Sequence, residues 1–183
     1  MKLTLHFDGS CWVNPGGNAK YGWTLSFPDG GKIWDNGPVG EGPLMSNNLA
    51  ELYALAKGLA HSLTHAKTGD IIEVFGDSEI AVKLMQGKYK ANKEKLYYPA
   101  YEYCKKIEFI IHSKNIDVQY NWIPREKNQE ADDLSKLPLN SEYDTYLAQQ
   151  LSNPSVKDFF EKETSKITTE RQELLDLADE ILL

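Results

Sequence analysis

The sequence predicts an α/β protein: a five-stranded mixed sheet flanked by helices, with an additional helical extension at the C-terminal end. Three observations carry this. Residues 2–37 hold three strand-like runs separated by turn residues, which reads as an antiparallel meander. A long run with helical apolar spacing follows. Beyond it, two short apolar strands alternate with helical stretches, so the order βββαβα(α)βα joins a meander to strands reached by helical crossovers.

The elements follow in order. Residues 2–7 alternate weakly as a first strand that ends at Asp8, followed by Gly9, Ser10 and the loop Asn14-Pro15-Gly16-Gly17. Residues 21–27 form a second strand. Pro28-Asp29-Gly30-Gly31 is strong turn chemistry, and residues 32–37 pair back as a third. The Gly- and Pro-rich stretch that follows reads as a connection. Ser46 caps a helix in which Leu49, Leu52, Tyr53, Leu55, Ala56, Leu59, Ala60 and Leu63 recur at helical spacing. Gly69-Asp70 breaks it. Residues 71–76 form a short strand ending at Asp77, Ser78 opens a helix, and a longer helix covers about residues 97–112. Residues 116–123 alternate as a fifth strand with Val118, Tyr120 and Trp122 on one face, and residues 128–137 are helical up to Pro138.

Composition bounds the function. With 41% hydrophobic and 26% charged residues, the chain is that of a globular protein rather than a disordered one. It has no apolar run near the roughly 20 residues of a membrane span. The first residues lack the apolar stretch and cleavage site of a secretory signal. Cys11 and Cys104 are too few for a disulfide framework and lack zinc-ligand spacing, so a reducing, cytoplasmic setting is expected. The net charge of −7 is uneven: residues 140–183 carry −6 of it. Residues 83–95, by contrast, hold five Lys against one Glu, a stripe suited to phosphate.

Four carboxylates stand where a fold can gather them: Asp8 and Asp77 after strands, Glu51 in the first long helix, and Asp132 in the last helix of the core. Carboxylates in one cleft repel unless cations neutralise them. All-oxygen ligands select Mg²⁺ or Mn²⁺. Two such ions about 3.5–4 Å apart can activate water on one side of a phosphodiester and stabilise the leaving oxygen on the other.

The motifs "FDGSCWVNPGG", "SNNLAEL", "FGDSE" and "NQEADDLS", in this order, resemble the type 1 ribonuclease H family over about residues 1–139. The resemblance implies that family's five-stranded mixed sheet and hydrolysis of the RNA strand of RNA/DNA hybrids, leaving 5′-phosphate and 3′-hydroxyl ends. It makes Asp8, Glu51, Asp77 and Asp132 the catalytic, metal-binding carboxylates for two Mg²⁺ ions, with Mn²⁺ as a substitute. Asp133 is the neighbouring rival of Asp132, which is preferred because it directly follows Ala131. Gly9, Ser10, Cys11, Asn14, Asn47 and Asn48 fall in the loops that contact RNA 2′-hydroxyls and backbone. Ser46 is placed at a DNA phosphate. The resemblance further implies that Lys88 and Lys90, with Lys93, grip the DNA strand, with Tyr89 packed beside its backbone. An Asn amide, both donor and acceptor, suits the 2′-hydroxyl that distinguishes RNA.

Departures from the family pattern are also legible. The segment "YNWIPREKNQEAD" has no loop His and resembles the archaeal and plant-like branch, where Arg125 can hold phosphate but not shuttle a proton. Glu79 stands where some relatives have Gln, so it either adds to the metal site or faces solvent. His61 and His65 share a helix face but lack carboxylate or Cys company and read as surface residues. Of the four tryptophans, Trp23, Trp34 and Trp122 read as core or sheet-face packing, and Trp12 as facing the substrate side. Residues 1–139 are thus expected to be the catalytic domain. Residues 140–183 form an acidic helical extension for packing, self-association or a protein partner. The rival functions are a silent hybrid-binding module and a scaffold acting through its acidic tail.

Overall fold

The computed structural model describes residues 1–137; the extension expected over residues 140–183 lies outside the described residues. The elements are β1 (Lys2–Trp12), β2 (Asn18–Ser26), β3 (Lys32–Glu41), α1 (Asn47–His65), β4 (Ile71–Gly76), α2 (Glu79–Met85), α3 (Tyr98–Ser113), β5 (Asp117–Trp122) and α4 (Gln129–Lys136). The five strands form one sheet in the order β3-β2-β1-β4-β5. The two hairpins are antiparallel, while β1, β4 and β5 are mutually parallel neighbours.

Strand alternation sorts residues to two faces. On one, Leu3, Leu5 and Phe7 of β1, Trp23 and Leu25 of β2, and Ile72 and Val74 of β4 are buried with Leu52, Leu55 and Leu59 of α1 and Ile111 of α3. Burying each such side chain contributes about 1.5–3 kcal/mol. Ser46 caps α1 as expected, its Oγ accepting from the Leu49 N–H at 3.2 Å. Ser78 does the same for α2 through the Ala81 N–H. The opposite face carries α4, packed mainly on β2 and β1.

β1 and β3 run past the ends that the sequence pattern predicts, and β2 starts at Asn18 rather than residue 21. Asp8 does not end β1: the strand continues to Trp12 because Gly9, Ser10 and Cys11 stay paired with Tyr21, Lys20 and Ala19 of β2. The connection expected after residue 37 is the end of β3, where Gly37 and Pro38 pair with Tyr21 and Lys20. β3 is an edge strand, and its ladder shifts register beside Pro38, both places where Pro is tolerated in a sheet. Two tryptophans also depart from expectation. Trp23 is buried, but Trp34 and Trp122 are 60% and 54% exposed. His61 and His65 lie against Trp23 and Phe27 with ring centroids 4.7 and 5.2 Å away, a packing arrangement.

Two glycines set how closely the layers approach. A Cβ at Gly9 would sit 2.2 Å from the carbonyl carbon of Ala50 and from the Glu51 nitrogen, so α1 rests directly on β1 there. A Cβ at Gly22 would sit 2.6 Å from Leu134 Cβ and 2.7 Å from the Ser135 nitrogen, so α4 rests directly on β2. Asp8 pairs with Gly22 across the ladder, between these two contacts. Gly9→Ala is therefore expected to destabilise the protein by about 1–3 kcal/mol or more, because the methyl meets backbone that cannot rotate away. Urea denaturation would measure it, and an unchanged midpoint would contradict the close packing.

Candidate active site

The site forms where the sheet opens. The parallel ladder between β1 and β4 ends at the pair His6 and Phe75, although β1 runs on along β2 to Trp12. Beyond that point, side chains satisfy the β1 backbone groups on the open side. Asn128 Nδ2 donates to the Phe7 carbonyl at 2.9 Å. The Gly9 N–H donates to Glu51 Oε2 at 3.0 Å, and the Cys11 N–H to Asn47 Oδ1 at 2.7 Å. Gly9 faces α1, so Asp8 beside it points to the α4 face, where the Ser135 hydroxyl bonds its Oδ2. Asp77 follows β4 directly. At this opening, carboxylate oxygens of Asp8, Glu51 and Asp77 all lie within 4.8 Å of one another.

Asp132, the fourth carboxylate expected here, is buried but stands outside that cluster. Its Oδ1 accepts from Arg125 at 2.8 and 3.1 Å, and its Oδ2 accepts from Lys136 Nζ at 2.6 Å. Its rival Asp133 is exposed and takes a hydrogen bond from Gln129.

The electrostatics separate these groups. Burial, with Asp77 and Asp132 adding repulsion, pushes the Asp8 carboxyl up to about 6 against the opposing Ser135 hydrogen bond. Burial also raises Glu51 well above the ordinary carboxylate range, with Asp8 and Asp77 as further causes. Burial acts to raise Asp132 too, but hydrogen bonds and charge from Lys136 and Arg125 outweigh it and hold it low. Among the described residues, no Lys or Arg forms an ion pair with Asp8, Glu51 or Asp77. Closely spaced, partly dehydrated oxygens without a cation of the protein's own are the donor set that fits Mg²⁺ or Mn²⁺.

The remaining predicted residues fall into two groups. Around the β1–β2 and β3–α1 loops, Asn14 Oδ1 accepts from the Asn47 N–H at 2.9 Å, and Cys11 Sγ lies 3.1 Å from the Val13 carbonyl. Ser46 caps α1, and Asn48 is half-buried in its first turn. Ser10 Oγ turns the other way and donates to the Ser135 carbonyl at 2.7 Å, a structural contact under α4. Lys88 and Lys90 are exposed in the segment after α2. Tyr89 there has Lys83 Nζ over its ring at 5.0 Å. Glu79 forms an ion pair with Lys83 and faces solvent, outside the carboxylate cluster.

Three participants escaped the sequence reading. Asn128 donates to Asp77 Oδ1 at 2.7 Å as well as to Phe7. Ser135 bonds Asp8, and the Trp122 indole N–H donates to the Asp77 carbonyl at 3.1 Å. Asn128 and Ser135 flank Asp132 in the last motif, four residues before it and three after it, a spacing that brings all three to one face of α4. That spacing was the available signal.

Comparison with known proteins places this geometry among relatives. The family model described as reverse transcriptase-like matches residues 6–137. An uncharacterized protein, YpeP of Bacillus subtilis, is 28% identical over 142 residues; the match covers 77% of this chain and 60% of that protein. RNase H1 from the halophilic archaeon Halobacterium salinarum superposes with a TM-score of 0.61 at 26% identity, covering 73% of this chain and 94% of that one. LC11-RNase H1, in complex with RNA/DNA hybrid, gives 0.61 at 29% identity, covering 72% and 92%.

A group whose folded pKa is raised, as at Asp8, favours folding below its unfolded pKa, and that contribution is lost as pH rises through the folded value. In EDTA at pH 8, Asp8→Asn is therefore expected to raise the melting temperature relative to the parent chain. The difference should shrink at pH 5, below the Asp8 value of about 6. Mn²⁺ should stabilise the parent at pH 8 more than the variant. Calorimetric melting checks all three; a variant that melts lower at pH 8 would refute the repulsion.

Proposed function

Because this chain belongs to the reverse transcriptase-like family, we propose that it is a metal-dependent ribonuclease H that cuts the RNA strand of RNA/DNA hybrids, leaving 5′-phosphate and 3′-hydroxyl ends. The observation that carries this reading is the Asp8, Glu51 and Asp77 cluster at the opening of the sheet. A structural neighbour is an RNase H1 in complex with RNA/DNA hybrid, which supports the substrate class.

In this reading, Asp8, Glu51, Asp77 and Asp132 hold two Mg²⁺ ions, with Mn²⁺ as a substitute. Such ions, when bound, lower the pKa of water and offset charge on phosphate oxygens. The chain's own residues do the rest. Asn14 and Asn47 each spend the side-chain carbonyl on a backbone N–H, so each presents its NH₂ group outward. Those donors suit the oxygen of an RNA 2′-hydroxyl. Lys88 and Lys90 meet DNA phosphates as exposed point charges. Arg125, placed like the branch that lacks the loop His, stays charged and trades Asp132 for a substrate phosphate. Residues 1–139 constitute the catalytic unit and act in a cytoplasmic setting; residues 140–183, with their charge of −6, contribute self-association or a protein partner rather than duplex contact.

Cleavage of an end-labelled RNA strand, annealed to DNA or to RNA, tests the reading in Mg²⁺, Mn²⁺ or EDTA. Metal-dependent cutting of the RNA/DNA hybrid alone is expected. Asp77→Asn should lower the rate at least about 1000-fold while hybrid binding persists. An unaltered rate in the variant, or equal cutting of RNA/RNA, would refute the proposal.

A further inference from the structure

We propose that Asn128 is the positioning residue that aims Asp77 and ties it to Asp132; this rests on the ribonuclease H reading above. Asn128 is 1% exposed. Its Nδ2 donates to Asp77 Oδ1 at 2.7 Å and to the Phe7 carbonyl at 2.9 Å. Both partners are acceptors, so the orientation of the amide is fixed: a flip would set Oδ1 against two oxygens. Asn128 Oδ1 is buried and has no hydrogen-bond partner among the described residues. Burying an acceptor unbonded costs free energy, and the amide is held in place despite that cost.

The chemistry of the side chain explains the choice. Asp77 must be held in a fixed place while keeping its negative charge for a cation. A Lys at position 128 would hold it and cancel the charge; a carboxylate would repel it. A neutral amide donor grips one oxygen of Asp77 and leaves the charge intact. The same residue begins α4, its carbonyl accepting the Asp132 N–H at 3.0 Å. One residue therefore sets Asp77 by its side chain and Asp132 by its backbone, and it anchors both to β1 through Phe7. Residues that orient metal ligands in this way typically govern affinity or activity by about 10- to 100-fold.

The test uses the full chain and the Asn128→Ala and Asn128→Asp variants, with three readouts. Calorimetric Mn²⁺ titration should show affinity weakened about 10- to 100-fold. On the hybrid, kcat should fall by a similar factor, with KM within about twofold, because the contacts of Asn14, Asn47 and the lysines are untouched. Raising Mn²⁺ should recover part of the lost kcat, which a merely structural role would not permit. The third readout needs no variant: in ¹⁵N-asparagine-labelled parent protein, the Asn128 side-chain amide signals should exchange slowly with solvent and shift on adding Mg²⁺. Variants with parental Mn²⁺ affinity and kcat, or amide signals indifferent to Mg²⁺, would overturn the proposal. If the parent binds Mn²⁺ but cuts no hybrid, the ribonuclease reading fails, while the titration and the amide signals still decide the role of Asn128.

Discussion

Mutual repulsion among Asp8, Glu51 and Asp77 is the constraint on which the arrangement of this structure depends. Three carboxylates whose oxygens approach within 4.8 Å do not assemble by attraction. They are held by what lies behind them. Close packing at Gly9 brings Glu51 to β1 from one layer, and close packing at Gly22 brings Ser135 to Asp8 from the other. The apolar core beneath, from Phe7, Trp23, Leu52 and Val74, supplies the stability that the cluster itself does not.

The fourth carboxylate follows a different logic. Asp132 is buried like Asp8, yet it carries Arg125 and Lys136 as counter-ions and is held acidic. Among the described residues, the site thus divides into a part lacking cations of its own and a part already neutralised. Arg125 is largely exposed while Asp132 is not, so this pair keeps its guanidinium open to solvent, whereas among the described residues the three clustered groups have no Lys or Arg partner.

Much of this was legible in the sequence, for identifiable reasons. Helix periodicity and the caps Ser46 and Ser78 marked α1 and α2, and the short apolar run at residues 71–76 marked β4 to the residue. The mixed pairing followed from a meander succeeded by crossovers. The ends of β1 and β3 were not legible. Glycine and proline usually terminate strands, but here tertiary pairing with β2 carries both strands past them. The exposure of Trp122 was likewise hidden, because alternation gives a residue its face but not whether anything covers that face. Of the site, the gathering of Asp8, Glu51 and Asp77 was readable from their motifs, whereas Asp132 was expected with them and instead stands apart on Arg125 and Lys136. Asn128 and Ser135 were not readable, because a polar residue at the start of a short helix reads as a cap, and one in its last turn as solvent-facing, until the partner strands are in place.

The opening in the sheet has a consequence beyond chemistry. Where β4 stops, β1 presents a bare edge in the middle of the molecule, the kind of surface on which another extended chain can dock by backbone pairing. Asn128, Glu51 and Asn47 occupy its Phe7 carbonyl, Gly9 N–H and Cys11 N–H one by one. The side chains that shape the site therefore also shield this edge from strand-to-strand aggregation.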